Sequence, residues 1–146
     1  MKLGVDGSVL VACLHANHPF HIAAADWMNH SFENHEVVVA HHSVLEAYAV
    51  LTRLPAEYRL VPSEAVTALH ATLRDNVVVA PFSERSIWDV VRRLGENAAA
   101  GGAAYDGFII EILAAARVEA IATANAREFR RLSRGIRIID PYERDE

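Results

Sequence analysis

Cysteine and lysine are almost missing, with one of each among 146 residues. Cys13 lies in an apolar run and has no partner for an internal disulfide, which fits a reducing compartment, so we expect a cytoplasmic protein. No apolar run approaches the roughly 20 residues that cross a bilayer. The N-terminus has one lysine and enters a predicted strand at once, so we expect neither a membrane span nor a signal peptide.

Positive charge is also scarce, with 14 basic against 19 acidic residues and a net charge of −5. This balance argues against a protein that coats nucleic acid through bulk electrostatics. It leaves room for a nuclease, whose acidic pocket is neutralised by metal ions. Apart from Lys2 the basic residues are arginines, whose planar fork suits phosphate. A high-GC coding bias, which also accounts for the many alanines, is the better explanation of that choice.

Short apolar runs alternate with helical patterns along the whole chain. The predicted strands are 1–5, 37–40, 77–81, 120–123 and 136–139, and the predicted helices are 8–16, 20–29, 44–54, 62–74, 85–94, 106–117 and 125–132. The segment 96–104 looks small and flexible. This alternation predicts an α/β fold with a mostly parallel sheet of about five strands and helices on both faces. We expect a single domain over residues 1–146, with 143–146 as a loose polar tail.

Four polar residues follow predicted strands or open predicted helices: Asp6, Glu46, Asp106 and Asn125. Each alone has a structural explanation. Asp6, Asp106 and Asn125 could each be an N-cap. Ser43 and Glu46 have the spacing of a capping box. Taken singly, capping and catalysis both remain open at every one of these positions.

Together these residues point to a metal site. The carboxyl ends of parallel strands meet at one edge of the sheet, where ligands collect. Carboxylates gathered there repel one another, and some would be forced to protonate without cations. Mg²⁺ and Mn²⁺ prefer such oxygen ligands. Water held by such an ion is a better nucleophile.

Four segments carry a resemblance to a known family: Val5-Asp6-Gly7-Ser8-Val9-Leu10, Ser43-Val44-Leu45-Glu46-Ala47-Tyr48, Tyr105-Asp106-Gly107-Phe108-Ile109 and Ala122-Thr123-Ala124-Asn125-Ala126-Arg127-Glu128-Phe129. In order, they resemble the four acidic motifs of PIN-domain ribonucleases, with the VapC toxins of bacterial toxin–antitoxin pairs as the nearest subgroup. The similarity extends over essentially the whole chain.

The resemblance implies an endoribonuclease that uses Mg²⁺ or Mn²⁺ and leaves 5′-phosphate and 3′-hydroxyl ends. Asp6, Glu46 and Asp106 would bind the metal, and Asn125 would complete the catalytic set. Ser8, Thr123 and Glu128 would support them. The implied partners are an RNA substrate, a VapB-like antitoxin and a second copy of the chain in a homodimer, with no membrane involved.

The fourth motif departs from the family pattern, because many relatives carry aspartate where this chain has Asn125 and then Glu128. A neutral amide is a weaker metal ligand, so a catalytically weakened PIN-like RNA-binding module is the alternative hypothesis. Gly7 replaces a commoner threonine, which should loosen the turn slightly. A receiver-type signalling domain is disfavoured, because it needs a strand-end lysine and Lys2 lies at the start of its strand.

Three other groups of residues invite interpretation. Seven of the eight histidines lie between His15 and His42, but a zinc site usually needs ligands on compatible faces and no cysteine pair is present. Trp27 and Trp88 are predicted on the apolar stripes of their helices, in core or interface positions. The candidate RNA contacts are Arg127, Arg130 and Arg131, which with Arg134 could instead form a solvated face with acidic partners.

Overall fold

The structure is a computed structural model that describes residues 1–82 and 86–143. Within these residues, five parallel strands form one sheet. The strands are β1 Lys2–Val5, β2 Glu36–Ala40, β3 Val77–Ala80, β4 Ala120–Ala122 and β5 Arg137–Ile139. Their spatial order is β3-β2-β1-β4-β5. The predicted fold class is therefore confirmed, strand for strand.

Seven helices connect these strands within the described part of the chain. They are α1 Gly7–Leu14, α2 His21–Asn34, α3 His41–Arg53, α4 Pro62–Leu73, α5 Ile87–Glu96, α6 Gly102–Ala115 and α7 Ala126–Leu132. Among the described residues, no helix is both long enough and apolar enough to cross a membrane.

The sheet buries apolar side chains on both faces. Leu3, Val5, Val37 and Val39 belong to one core cluster. The intervening Val38 belongs to the other, with Ile121 and Phe129. Successive strand residues point to opposite faces, so burial on both sides requires the continuous apolar runs seen in the sequence. Trp27 packs against the first cluster, as predicted.

The strand β1 lies at the centre of the sheet, between β2 and β4. From β1 the chain proceeds outward to β3 and then returns to the other side of β1 as β4. The crevice between β1 and β4 is therefore a topological switch point, where open α/β sheets bind ligands. The first residue after β1 is Asp6, whose backbone N–H donates to the Ala122 carbonyl at 2.9 Å. This bond fixes Asp6 at the crevice.

Two helix starts differ from the prediction. Helix α3 begins at His41, directly after β2, so Ser43 lies inside the helix and the predicted capping box with Glu46 is wrong. The Ser43 hydroxyl is buried without a hydrogen-bond partner among the described residues. Helix α6 begins at Gly102, so Asp106 is not its N-cap. Gly101 adopts a φ of 59°, which favours glycine and sets the earlier start.

Other boundaries shift for local reasons. Helix α2 continues to Asn34, beyond the predicted 29, because Ser31 and Phe32 carry its buried face further. The predicted start of α5 near residue 85 lies outside the described residues, and Ser86 caps that helix by accepting from the Trp88 N–H at 3.2 Å. The Trp88 side chain is 77% exposed, so Trp88 is not in the core, and the interface position stays a prediction.

Candidate active site

The Asp6 carboxylate is held by two hydroxyl groups. Its Oδ2 accepts hydrogen bonds from Ser8 Oγ at 2.7 Å and from Thr123 Oγ1 at 2.9 Å. Asp6 occupies the N-cap position of α1, but its side chain makes no capping hydrogen bond. The side chain is only 6% exposed. One hydroxyl comes from the first turn of α1 and the other from the residue after β4, so the switch point itself orients this acid before any ligand arrives.

Asn125 supports a second carboxylate. Its backbone N–H donates to Thr123 Oγ1 at 3.0 Å, which places the residue after β4. Its side-chain Nδ2 donates to Asp106 Oδ2 at 3.1 Å. The fourth predicted motif therefore carries a donor that orients Asp106. Asn125 is at the N-cap of α7 as predicted, but its side chain does not cap the helix.

Glu46 reaches the same site from α3. Burial and the charge of Asp6 raise the pKa of Glu46, while His42 and Arg53 act in the opposite direction. The His42 ring lies one helical turn earlier, with Nε2 at 3.7 Å from Glu46 Oε2. Glu46 is thus near both a buried acid and two basic groups.

Asp106 is the most perturbed acid of the group. Burial, followed by the charge of Asp6, raises the pKa of Asp106 to about 6, and Glu46 and Glu128 add to the increase. The amide of Asn125 opposes this increase because it stabilises the ionised form. The predicted acids are therefore close enough to repel one another, as expected for acids at one sheet edge.

Glu46 and Asp106 line a cleft of about 650 Å³, and Asp6 is not among the described residues that line it. Its polar wall consists of Glu46, Tyr105, Asp106, Asn125, Glu128 and Arg131. The opposite wall has only small side chains, from Ala98 to Ala103. No three His, Cys, Asp or Glu residues in the described ranges are placed to hold one ion together. The all-oxygen donor set nevertheless fits Mg²⁺ or Mn²⁺, which accepts one or two carboxylates and keeps several waters.

Glu128 points to Arg131 rather than standing free. Its Oε1 accepts from Arg131 Nη2 at 2.6 Å and from Nε at 3.1 Å. This hydrogen bonding lowers the pKa of Glu128. Arg131 Nη1 also donates to the Asn97 carbonyl at 2.8 Å, which ties α7 to the loop before α6. One oxygen of Glu128 is therefore already committed to a cation.

The arginines of the predicted cluster have different partners in the structure. Arg130 pairs with Glu143 at 3.3 Å, and Arg134 pairs with Glu111 at 2.9 Å. Arg127 forms no ion pair within residues 1–82 and 86–143. Of the predicted RNA contacts, Arg131 is the residue that lines the cleft. Acidic partners account for most of this cluster, in line with the solvated-face interpretation.

Sequence reasoning overlooked Tyr105, whose side chain lines the cleft and is 58% exposed. Its ring stacks on His42 with centroids 5.4 Å apart and an interplanar angle of 4°. The only sequence feature that could have indicated Tyr105 as a site residue is its position next to Asp106. Pairing with His42 could not be inferred, because the two rings come from different helices.

Comparisons with known proteins show which family the chain belongs to. Residues 4–135 match the PIN domain family. The chain belongs to the PIN-domain family. This PIN domain is 35% identical over 127 residues to Ribonuclease VapC27 of Mycobacterium tuberculosis, covering 86% of the chain and 85% of that relative. It is 33% identical over 144 residues to Ribonuclease VapC40 of the same species, covering 95% and 90%. The predicted relationship to the VapC group is confirmed.

A solved structure shares the fold of this PIN domain. It is the crystal structure of VapBC2 from Rickettsia felis bound to a DNA fragment from their promoter. The match has a TM-score of 0.70 at 14% identity and covers 95% of this chain and 98% of that one. At that identity the likeness establishes the fold alone.

Proposed function

We propose that this PIN domain is the endoribonuclease toxin of a toxin–antitoxin pair and that it hydrolyses RNA phosphodiester bonds with Mg²⁺ or Mn²⁺. The observation that carries the proposal is the buried Asp6, oriented by Ser8 and Thr123 at the switch point and in electrostatic contact with Glu46 and Asp106. Relatives named ribonucleases over nearly the whole chain support it.

Each side chain has a distinct part in this mechanism. Asp6, Glu46 and Asp106 would supply the carboxylates for the divalent ion, one or two of them at a time, and Ser8 and Thr123 fix the orientation of Asp6. When bound, such an ion polarises the phosphate and lowers the pKa of water. The products are a 5′-phosphate and a 3′-hydroxyl.

Asn125 and Arg131 complete this arrangement without acting as metal ligands. Asn125 donates to Asp106 and so keeps that carboxylate ionised and ready to bind a cation. The fork of Arg131, already aligned by Glu128, faces the cleft and attracts the substrate phosphate. Positioning and charge neutralisation by preset groups are the main contributions that a protein makes to such chemistry.

The neutral Asn125 supports a second candidate, a catalytically weakened module that binds RNA without cutting it. A carboxylate at this position could contribute a ligand to a second ion, whereas the amide is engaged with Asp106. This module would bind RNA but would not hydrolyse it at a useful rate with either ion.

A cleavage assay separates the two candidates. Purified protein is incubated with total cellular RNA and Mg²⁺ or Mn²⁺, with and without EDTA, and the product ends are tested for ligation. We expect cleavage with 5′-phosphate ends that EDTA abolishes. RNA binding without cleavage under both metals would favour the weakened module, and cleavage that persists in EDTA would contradict the metal mechanism.

We also propose that the protein acts in the cytoplasm as a homodimer, the commonest symmetric assembly. Its cognate inhibitor would be a VapB-like antitoxin. The acidic cleft favours a partner that places a basic or polar side chain against these carboxylates while an adjoining segment docks in an apolar groove. Co-expression of the neighbouring small reading frame should restore growth and yield a complex that co-purifies. Unchanged toxicity would contradict this pairing.

A further inference from the structure

Tyr105 presents an aromatic ring at the edge of the acidic cleft. The residue lies in α6 directly before Asp106 and is 58% exposed. One face of its ring is covered by His42, nearly parallel at 4° and 5.4 Å between centroids. Among the described residues no other ring stacks on Tyr105, so its second face is open to a flat ligand.

The two stacked rings are anchored in the protein. His42 lies edge-on to Phe108 at 5.8 Å, and Phe108 in turn contacts Phe82 at 5.2 Å. His42 is also held near Glu46. A ring supported in this way loses little freedom when a ligand stacks on it, which lowers the entropic cost of binding.

Tyr105 also lines a second groove, of about 430 Å³, that adjoins the cleft. Besides Tyr105 of α6, this groove is lined by residues of α3, including His42, Glu46 and, in the last turn, Arg53. Arg53 forms no ion pair within the described residues. The groove therefore offers an aromatic surface and the positive charge of an arginine next to the acids that we propose hold the metal.

We propose that Tyr105 is the stacking platform for one base of a single-stranded RNA, beside the scissile phosphate, and that Arg53 contacts a phosphate of the same strand. This inference rests on the proposed nuclease function. Single-stranded RNA is recognised through bases stacked on aromatic side chains, together with basic residues that track the backbone. Trp88 is more exposed, but it lines neither cavity, and within residues 1–82 and 86–143 no ring contacts its indole.

The test measures RNA binding separately from cleavage. A short single-stranded RNA containing 2-aminopurine is titrated with protein in Ca²⁺ instead of Mg²⁺, and affinity and fluorescence quenching are recorded. Tyr105→Phe keeps the ring and should match the wild type. Tyr105→Leu should weaken binding by about tenfold and remove the quenching, since stacking is lost. Tyr58→Leu, at an exposed tyrosine outside both cavities, is the matched control and should leave both readouts unchanged.

The outcomes are distinct from those of the cleavage assay. Wild-type affinity and quenching in Tyr105→Leu would overturn the stacking platform whether or not the protein cuts RNA. Thermal unfolding of Tyr105→Leu and Tyr105→Phe at the same temperature excludes a folding defect as the cause of lost binding. Light scattering gives the oligomeric state. If Tyr105→Leu dissociates a wild-type dimer, the ring belongs to a protein interface and the proposal is overturned.

Discussion

The Asp6 and Glu128 carboxylates differ in what already occupies them. Among the described residues, the Asp6 carboxylate accepts hydrogen bonds from the neutral hydroxyls of Ser8 and Thr123, both at Oδ2, so its negative charge is not offset by these partners. Glu128 is hydrogen-bonded to the guanidinium of Arg131. A divalent ion therefore gains more from Asp6 than from Glu128.

This difference predicts unequal effects of two matched amide substitutions. Asp6→Asn should reduce the rate of RNA cleavage by at least about 100-fold, because a charge-stabilising group is removed from the reacting centre. Glu128→Gln should cost less than about tenfold, because Asn97 still holds Arg131. Initial rates in Mn²⁺ measure both. Equal, mild losses would mean that Asp6 does not bind the metal.

Asp106 makes the stability of the metal-free protein depend on pH. The pKa of Asp106 is about 6 in the folded chain, against an ordinary 3.8. Below about pH 4 both states hold the proton and the contribution of this carboxyl to stability is fully present. As the pH rises through 6 the folded state loses the proton and that contribution is lost. At pH 7 ionised Asp106 therefore destabilises the metal-free fold.

We expect Asp106→Asn to unfold at a higher temperature than the wild type at pH 7 in EDTA. The carboxyl is half-buried and solvent screens part of its charge, so the gain should be modest, about 2–4 °C. The side-chain oxygen introduced at position 106 can still accept the hydrogen bond from the Asn125 amide. Differential scanning fluorimetry should show the difference shrinking towards pH 4. A difference that is the same at both pH values would contradict the assigned repulsion.

At the scale of elements, the five strands and their parallel arrangement could be predicted because β-branched runs and connecting helices leave few alternatives. The residues at which α3 and α6 begin could not be predicted. The sequence pattern around Ser43 matches a capping box, but β2 passes into a helix without a loop. The glycine pair before α6 suggests flexibility, whereas Gly101 instead sets the start of the helix.

The candidate site was predictable to the same extent. Residues that follow strands, such as Asp6 and Thr123, come together because the sheet edge requires it. Contacts between side chains of different helices depend on rotamers and crossing angles, which the sequence does not reveal. The Asn125–Asp106 hydrogen bond and the stack of Tyr105 on His42 are of this kind.

Three elements are joined by one buried acid, Glu111 of α6. Its carboxylate accepts two hydrogen bonds from Arg93 of α5, at 2.9 and 3.1 Å, and one from Arg134 after α7 at 2.9 Å. The Glu111 side chain is only 9% exposed. By contrast, Arg92 and Glu96 form an exposed pair within α5.

Glu111→Gln should therefore lower the free energy of unfolding by about 3 kcal/mol, because it leaves Arg93 partly buried without a compensating charge. Glu96→Gln is the matched control and should cost less than about 0.5 kcal/mol. Urea unfolding gives both values. Equal costs would show that the Glu111 ion pairs add nothing beyond surface electrostatics.

Gly4 allows β1 to lie close to α6 and β4. A Cβ at this position would be 3.0 Å from Leu113 Cδ1 and 3.3 Å from Ile121 Cγ1. At Gly7, beside Asp6, the nearest atom would be the Ser43 carbonyl oxygen at 3.7 Å, an ordinary contact. The central strand therefore tolerates less added volume than the turn that follows it.

Gly4→Ala should destabilise the protein by about 1–3 kcal/mol through overpacking. Gly7→Ala should change stability by less than about 0.5 kcal/mol, since the added methyl has room in the first turn of α1. Urea unfolding compares the two. A Gly4→Ala variant as stable as the wild type would show that Leu113 can shift without cost.

At the scale of the whole molecule, the excess of acids and the mutual repulsion of the carboxylates at the site are the basis for our proposal that the protein binds divalent cations. Binding to the folded state alone stabilises it in proportion to the logarithm of the metal concentration. The same ion would then raise stability and enable cleavage.

Calorimetric titration of Mn²⁺ into the purified protein tests this central claim most directly. The account predicts saturable binding at micromolar to millimolar Mn²⁺ by the wild type and much weaker binding by Asp6→Asn, because Asp6 is the carboxylate that acts on both Glu46 and Asp106. Gln in place of Glu128 should leave most of the affinity intact. Equal Mn²⁺ binding by the wild type and Asp6→Asn, or none by either, would contradict the account.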